Sequence, residues 1–192
     1  MKKVNIKKSN RILDDFFKVD EAFLQFEKLD GEMSDTVRRL NFERGDGVAA
    51  LVFNADTDKI ILVRQFRYSA HLRGESYVIE TVAGMLKPEE DPEEAIKREI
   101  EEEIGFANPH LTPISQFFVS PGGTSEQIFL YYAVVHEADR VSAGGGLDTE
   151  NEDIQILEYH MEEITELMDN GVITDAKTLI AIMWLENLIL KQ

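Results

Sequence analysis

The chain has 192 residues, 43% of them hydrophobic and 30% charged, which is enough apolar material for one packed domain or for one domain with a small appendage. Its net charge of −17, from 20 basic and 37 acidic residues, disfavours nonspecific attachment to nucleic acid or anionic membrane, both of which need basic surface. Without cysteine there is no disulfide, no thiolate zinc site and no cysteine nucleophile. The lysine-bearing start, MKKVNIKKSNR, has no apolar stretch behind it and is not a secretory signal. LIAIMWLENLIL, the most apolar late stretch, is broken by Glu186 and Asn187 and is too short to span a bilayer. A cytoplasmic location is the expectation.

In chain order, residues 1–44 read as a β unit. FFKVDEAFLQFEKL (16–29) has the aromatic, alternating character of a strand, Asp30-Gly31 signals a turn, and MSDTVRRLNFERG returns antiparallel. So short a piece is expected to pack on another surface, that of a second subunit included. The main body, residues 45–192, starts with two apolar strands, VAALVF and IILVRQF, around the polar turn NADTDK. YVIETVAGM reads as one further strand running into the loop LKPEED. Asp91 then caps a helix that begins at Pro92 and stops at Gly105. Strands follow around ISQFFVS, QIFLYYAVV and IQILEYH, with the Gly- and acid-rich SAGGGLDTENED before the last of them. MEEITELMDNG and TDAKTLIAIMWLENLIL close the chain as helices. The order predicts an α+β fold, with layers of helix and sheet rather than a parallel doubly wound sheet.

The Pro92–Ile104 helix carries four glutamates in five consecutive places, Glu99 and Glu101 to Glu103. Like charges at helical spacing repel by a few tenths of a kcal/mol per pair. On a wheel of about 100° per residue, Ile96, Ile100 and Ile104 form a buried stripe while Glu99, Glu102 and Glu103 line one flank of it. An acidic run is ordinarily a solvated face. Carboxylates held at the edge of a core instead need a counter-charge, and a hard divalent cation such as Mg²⁺ takes oxygen ligands of this kind. An EF-hand calcium loop is not present, because its ligand spacing is missing.

From Gly84 the chain reads GMLKPEEDPEEAIKREIEEEIGF, which resembles the Nudix box at every specified position: Gly84, Glu90, Arg98, Glu99, Ile100, Glu102, Glu103, Gly105 and Phe106. The resemblance implies a Nudix-type α/β/α sandwich with a mixed sheet and a small N-terminal antiparallel β unit. It also implies Glu99, Glu102 and Glu103, with the carbonyl of Ala83, as ligands of Mg²⁺ (or Mn²⁺), and a structural pairing of Glu90 with Arg98. FERGDGVAALVF, LVRQFR, ETVAGM, SPGGTSE and SAGGGLDTENEDI, in this order, resemble the branch that hydrolyses ADP-ribose or GDP-mannose.

In that branch a glutamate of the late loop serves as catalytic base or additional ligand, which points to Glu152 first and Glu150 second, alongside Glu103. Arg67 and Arg64 are implied phosphate contacts, although surface ion pairing accounts for either equally well. Glu126 is an implied sugar contact, in what also reads as an ordinary Gly-containing loop. The branch exchanges its N-terminal unit in a homodimer. Phe17 or Phe16 would then stack on a nucleobase, with Arg39 or Arg38 in reach, or the phenylalanines simply fill a strand face. The implied activity is Mg²⁺-dependent hydrolysis of a nucleoside diphosphate sugar: ADP-ribose to AMP and ribose 5-phosphate, or GDP-mannose to GMP and mannose 1-phosphate. The alternative is a non-catalytic Nudix-like sensor of such a ligand, which the complete box and the lack of a basic helix-turn-helix disfavour. Neither nucleic acid nor membrane is an expected partner.

Overall fold

The computed structural model describes residues 2–147, 149 and 151–191. Two compact units emerge, one of residues 1–46 with 117–127, the other of residues 47–116 with 128–192. The first is built on an antiparallel sheet of β1 (Val4–Asp14), β2 (Lys18–Phe26) and β3 (Val37–Glu43), in that order. β1 went unread in the sequence because two register shifts, between Ile6 and Lys8 and between Arg11 and Leu13, break its period of two. In the same unit the segment SPGGTSE is tied to β3: Phe42 N–H donates to the Gly123 carbonyl at 2.8 Å, and Asn41 donates to the Ser125 hydroxyl at 3.1 Å.

The second unit holds a mixed seven-stranded sheet. Its centre is β4 (Gly47–Asn54), flanked by β5 (Lys59–Phe66) and, in parallel, by β9 (Gln127–Val135); β8 (His110–Phe118) and β10 (Gln155–Tyr159) lie outermost. Successive strand residues face opposite sides. Val48, Ala50 and Val52 therefore join Ile61, Val63 and Tyr131 in one core with Ile96, Ile100 and Ile104 of the helix α2 (Pro92–Ile104). Ala49 and Leu51, equally buried, face the other way, where α4 (Ala176–Ile189) packs against β4. Trp184 of α4 meets Tyr132 of β9 with ring centroids 5.6 Å apart. The one-turn α1 (Tyr68–His71) precedes α2 in the chain, and α3 (Met161–Asp169) comes between α2 and α4. The α+β architecture with its separate three-stranded sheet matches the expectation. Among the described residues no helix is long and apolar enough to cross a membrane.

One feature of the sheet decides where the site lies. β4 and β5 pair with each other only from Val52–Ile61 to Asn54–Lys59 and then part. Into the gap goes the segment read from sequence as a single strand, now two: β6 (Tyr77–Glu80) bonds to β5 and β7 (Val82–Met85) bonds to β4. The split falls at Thr81, whose hydroxyl donates to the Ala50 carbonyl and whose N–H donates to the Thr178 hydroxyl of α4 at 2.8 Å. This wedge places Glu80 on one side of Thr81 and Ala83 and Gly84 on the other.

Candidate functional site

Local chemistry fixes α2 at both ends. Asp91 accepts from the Glu93 N–H at 2.9 Å, Pro92 occupies the first turn, and Gly105 ends the helix at φ +78°. Glu103, only 2% exposed, faces the wedge, and its carboxylate accepts from the Ala83 N–H at 3.4 Å. Glu99 lies against Gly84, where a Cβ would come within 2.0 Å of its carboxylate, so glycine is required for this approach. Arg98 braces the assembly, donating to Glu90 from Nε (3.0 Å) and Nη2 (3.2 Å) and to Glu99 (2.7 Å) and Glu102 (3.0 Å) from Nη1. The implied Glu90–Arg98 pairing is thus present.

The electrostatics are unbalanced. Burial pushes the Glu103 carboxyl well above the usual carboxylate range, the charges of Glu99 and Glu152 add to the rise, and the Ala83 N–H and Arg67 oppose it. Glu99 is raised too, by burial first, with Arg98 working against the shift and Glu102 and Glu152 adding to it. Every donor gathered here is a hard oxygen, which suits Mg²⁺ and not a thiophilic ion. Among the described residues no three carboxylates stand close enough to chelate an ion as they are, since Arg98 draws Glu99 and Glu102 to itself. The donor set therefore fits a divalent cation chemically, with Glu99 and Glu103 next to the Ala83 backbone as its nucleus.

Glu152 reaches this cluster through a loop whose Gly-rich composition alone suggests a mobile tether. Instead, Gly145 N–H donates to the Glu103 carbonyl at 2.9 Å and Gly146 N–H to the Glu102 carbonyl at 3.1 Å, satisfying the last turn of α2. At Gly144 (φ +65°) a Cβ would lie 2.6 Å from the Glu103 carbonyl oxygen. The Glu152 carboxylate then accepts from Leu147 N–H at 3.0 Å, holding the loop closed on itself. Glu150 lies outside the described residues.

Arg67 follows β5 and donates from Nε to Glu80 at 2.6 Å. Glu80 also takes Lys177 of α4 at 3.2 Å, and Lys177 contacts Asp175, the cap of that helix, at 2.6 Å. Burial works against the charge of Lys177, but Asp175 and Glu80 outweigh it and raise its pKa. Sequence reading missed Glu80, Lys177 and Asp175, which have no shared local pattern. Arg64, by contrast, points its guanidinium over the Tyr77 ring at 5.5 Å, in a pocket of about 410 Å³ completed by Asp153 and Gln155.

The remaining candidates belong to the other unit. Phe17 packs on Phe16 and Phe42, with centroids 4.8 and 5.0 Å away, and lies 5.8 Å from the Arg44 guanidinium. Glu126, 8% exposed, faces the same Arg44 at 3.6 Å. Arg44, a cation in the quoted FERGDGV that sequence reading passed over, thus joins two of the expected substrate residues. Arg39 stands apart on β3, donating to the Arg38 carbonyl at 3.0 Å, while Arg38 pairs with Glu21 at 2.6 Å.

The chain resembles known proteins along most of its length. The model of the NUDIX domain matches residues 43–180. A GDP-mannose pyrophosphatase of Enterobacter sp. (strain 638) is 33% identical over 186 residues, spanning 96% of this chain and 95% of its own. An ADP-ribose pyrophosphatase of Escherichia coli O157:H7 is 36% identical over 174 residues, spanning 89% of this chain and 82% of its own. Among solved structures, one described as an ADP compounds hydrolase superposes with a TM-score of 0.74 at 21% identity, covering 99% of this chain and 96% of that one, a likeness of fold.

Proposed function

The chain belongs to the NUDIX domain family, and from that premise we propose that it hydrolyses the diphosphate bond of a nucleoside diphosphate sugar with Mg²⁺. The relatives named for GDP-mannose and for ADP-ribose share this substrate class. The observation that carries the reading is the excess of carboxylate at the junction of α2 and the wedge, where burial and then neighbouring carboxylates, Glu152 among them, push Glu99 and Glu103 toward the neutral form.

Glu99 and Glu103, with the Ala83 carbonyl and Glu102 once released from Arg98, hold the divalent ion. Bound there, Mg²⁺ supplies neutralisation of the phosphate oxygens and acidification of the attacking water. Glu152, on its Gly-anchored loop, orients that water and takes its proton; Glu150 is the second choice. Arg67 holds a phosphate and Arg64 assists from the Tyr77 side. Glu126 engages a sugar hydroxyl, while Phe17 and Arg39, from an N-terminal unit of residues 1–44 exchanged in a homodimer, engage the nucleobase. Exposed apolar side chains on that unit, among them Val4, Ile6, Phe16 and Leu40, support the exchange. The absence of cysteine is in keeping with the cytoplasm.

The test is product release from ADP-ribose and GDP-mannose side by side with Mg²⁺, for the protein and its Glu103→Gln variant. Turnover of either sugar nucleotide, lost in a folded variant, bears the proposal out. Binding without turnover of either points to a Nudix-like sensor.

A further inference from the structure

Arg67, Glu80, Lys177 and Asp175 form a row of alternating charge, with successive contacts of 2.6, 3.2 and 2.6 Å. The geometry points to Lys177, acting through Glu80, as a positioning residue for Arg67, one that keeps the outer edge of its guanidinium open to a substrate phosphate. This rests on the reading of Arg67 as a phosphate contact.

Glu80 divides its oxygens. Oε2 accepts from Arg67 Nε, and Oε1 takes the Lys177 ammonium. A carboxylate facing a guanidinium alone tends to form two parallel bonds with it, consuming a terminal nitrogen as well. With Lys177 on Oε1, Glu80 grips Arg67 only through the inner nitrogen. Among the described residues Nη1 and Nη2 of Arg67 have no other hydrogen-bond partner. The Arg67 side chain is 42% exposed while that of Glu80 is 7%, so the anchor is dry and the anchored group is accessible. Arg67 also lies close enough to Glu103 for its charge to oppose the rise of that carboxyl.

Lys177 is itself fixed. Asp175 holds its ammonium and accepts from both the N–H (2.9 Å) and the hydroxyl (2.8 Å) of Thr178, the residue that also receives the Thr81 N–H. The start of α4 is thereby locked to the wedge at Glu80 and at Thr81. Removing Lys177 frees Oε1 to close on Arg67 and withdraws the fork from substrate.

The experiment is a double-mutant cycle in steady-state kinetics, with Mg²⁺ and whichever of ADP-ribose or GDP-mannose the wild-type protein turns over, and with Tm followed for each variant. Lys177→Met is expected to raise KM about tenfold with a smaller change in kcat. In an Arg67→Ala background the same substitution is expected to change kcat/KM by less than about twofold, since the group it positions is gone. Lys177→Gln keeps a donor for Oε1 and is expected to recover most of the loss. Glu80→Gln supplies a second cycle against Arg67→Ala should Lys177→Met fail to fold, with the same coupling expected. An equal loss of kcat/KM in both backgrounds, or a fall in Tm with KM unmoved, overturns the positioning role. Arg67→Ala with unchanged KM overturns the Arg67 contact and this proposal with it, while lack of wild-type turnover on either substrate sinks the hydrolase reading beneath both.

Discussion

Two groups of charge are built on the same wedge, and they are opposites. At the end of α2, Arg98 pairs with Glu90, Glu99 and Glu102, while Glu103 and Glu152 add further carboxylates, and burial pushes Glu99 and Glu103 toward the neutral form. Across Thr81, Arg67, Glu80, Lys177 and Asp175 alternate in sign and balance. Buried charge is tolerated when it is paired. The balanced row is complete from its own residues and holds a shape. The unbalanced one carries electrostatic strain that a cation held there would relieve.

Substitutions can break this contrast. The largest effect is on activity: Glu103→Gln removes a charge from the unbalanced group and is expected to lower kcat by about 10²-fold or more, read by product release. The sharpest is a difference in sign. Lys177→Met opens the balanced row and is expected to destabilise the metal-free protein by about 2–3 kcal/mol, whereas Glu103→Gln relieves repulsion and is expected to stabilise it by about 1 kcal/mol, some 2–4 °C in Tm. Equal signs in thermal melts would end the distinction between the two groups. Gly144→Ala, at positive φ with its Cβ on the Glu103 carbonyl, is expected to cost about 2 kcal/mol, against at most about 0.5 kcal/mol at Gly122, where a Cβ meets nothing.

The smallest effect is with pH. The folded-state pKa of Glu103 lies above its usual 4.5, so between the two values the native state holds more protons than the unfolded chain. Metal-free stability should therefore fall as pH rises through that window. Mg²⁺ competes with those protons, and the gain in Tm it brings should be larger at pH 8 than at pH 5. A gain independent of pH would place the ion elsewhere.

What could be read in advance follows from the range of the signals. The box helix was legible to the residue because Asp91, Pro92 and Gly105 act locally. QIFLYYAVV was legible as β9 because both its faces are covered by apolar neighbours. The split of YVIETVAGM at Thr81 was not, because the groups that set it, Ala50 and Thr178, are 31 and 97 residues away. The same separation hid Lys177 from Glu80. Gly144, Gly145 and Gly146 looked like slack by composition. Their role appears only when the carbonyls of Glu102 and Glu103 are found to need donors.

The tie between Thr81 and Thr178 also sets an order of events in synthesis and refolding. The glutamate helix and the wedge are made early in the chain, but the acceptor for the N–H at the splitting point, the parallel neighbour of β4 and the donors that finish α2 are all supplied by residues beyond 126. A nascent chain bearing every box residue is thus unable to settle them until α4 has left the ribosome and docked. Acquisition of metal affinity should accordingly be a late step, kinetically linked to C-terminal helix docking and not to formation of the box helix itself.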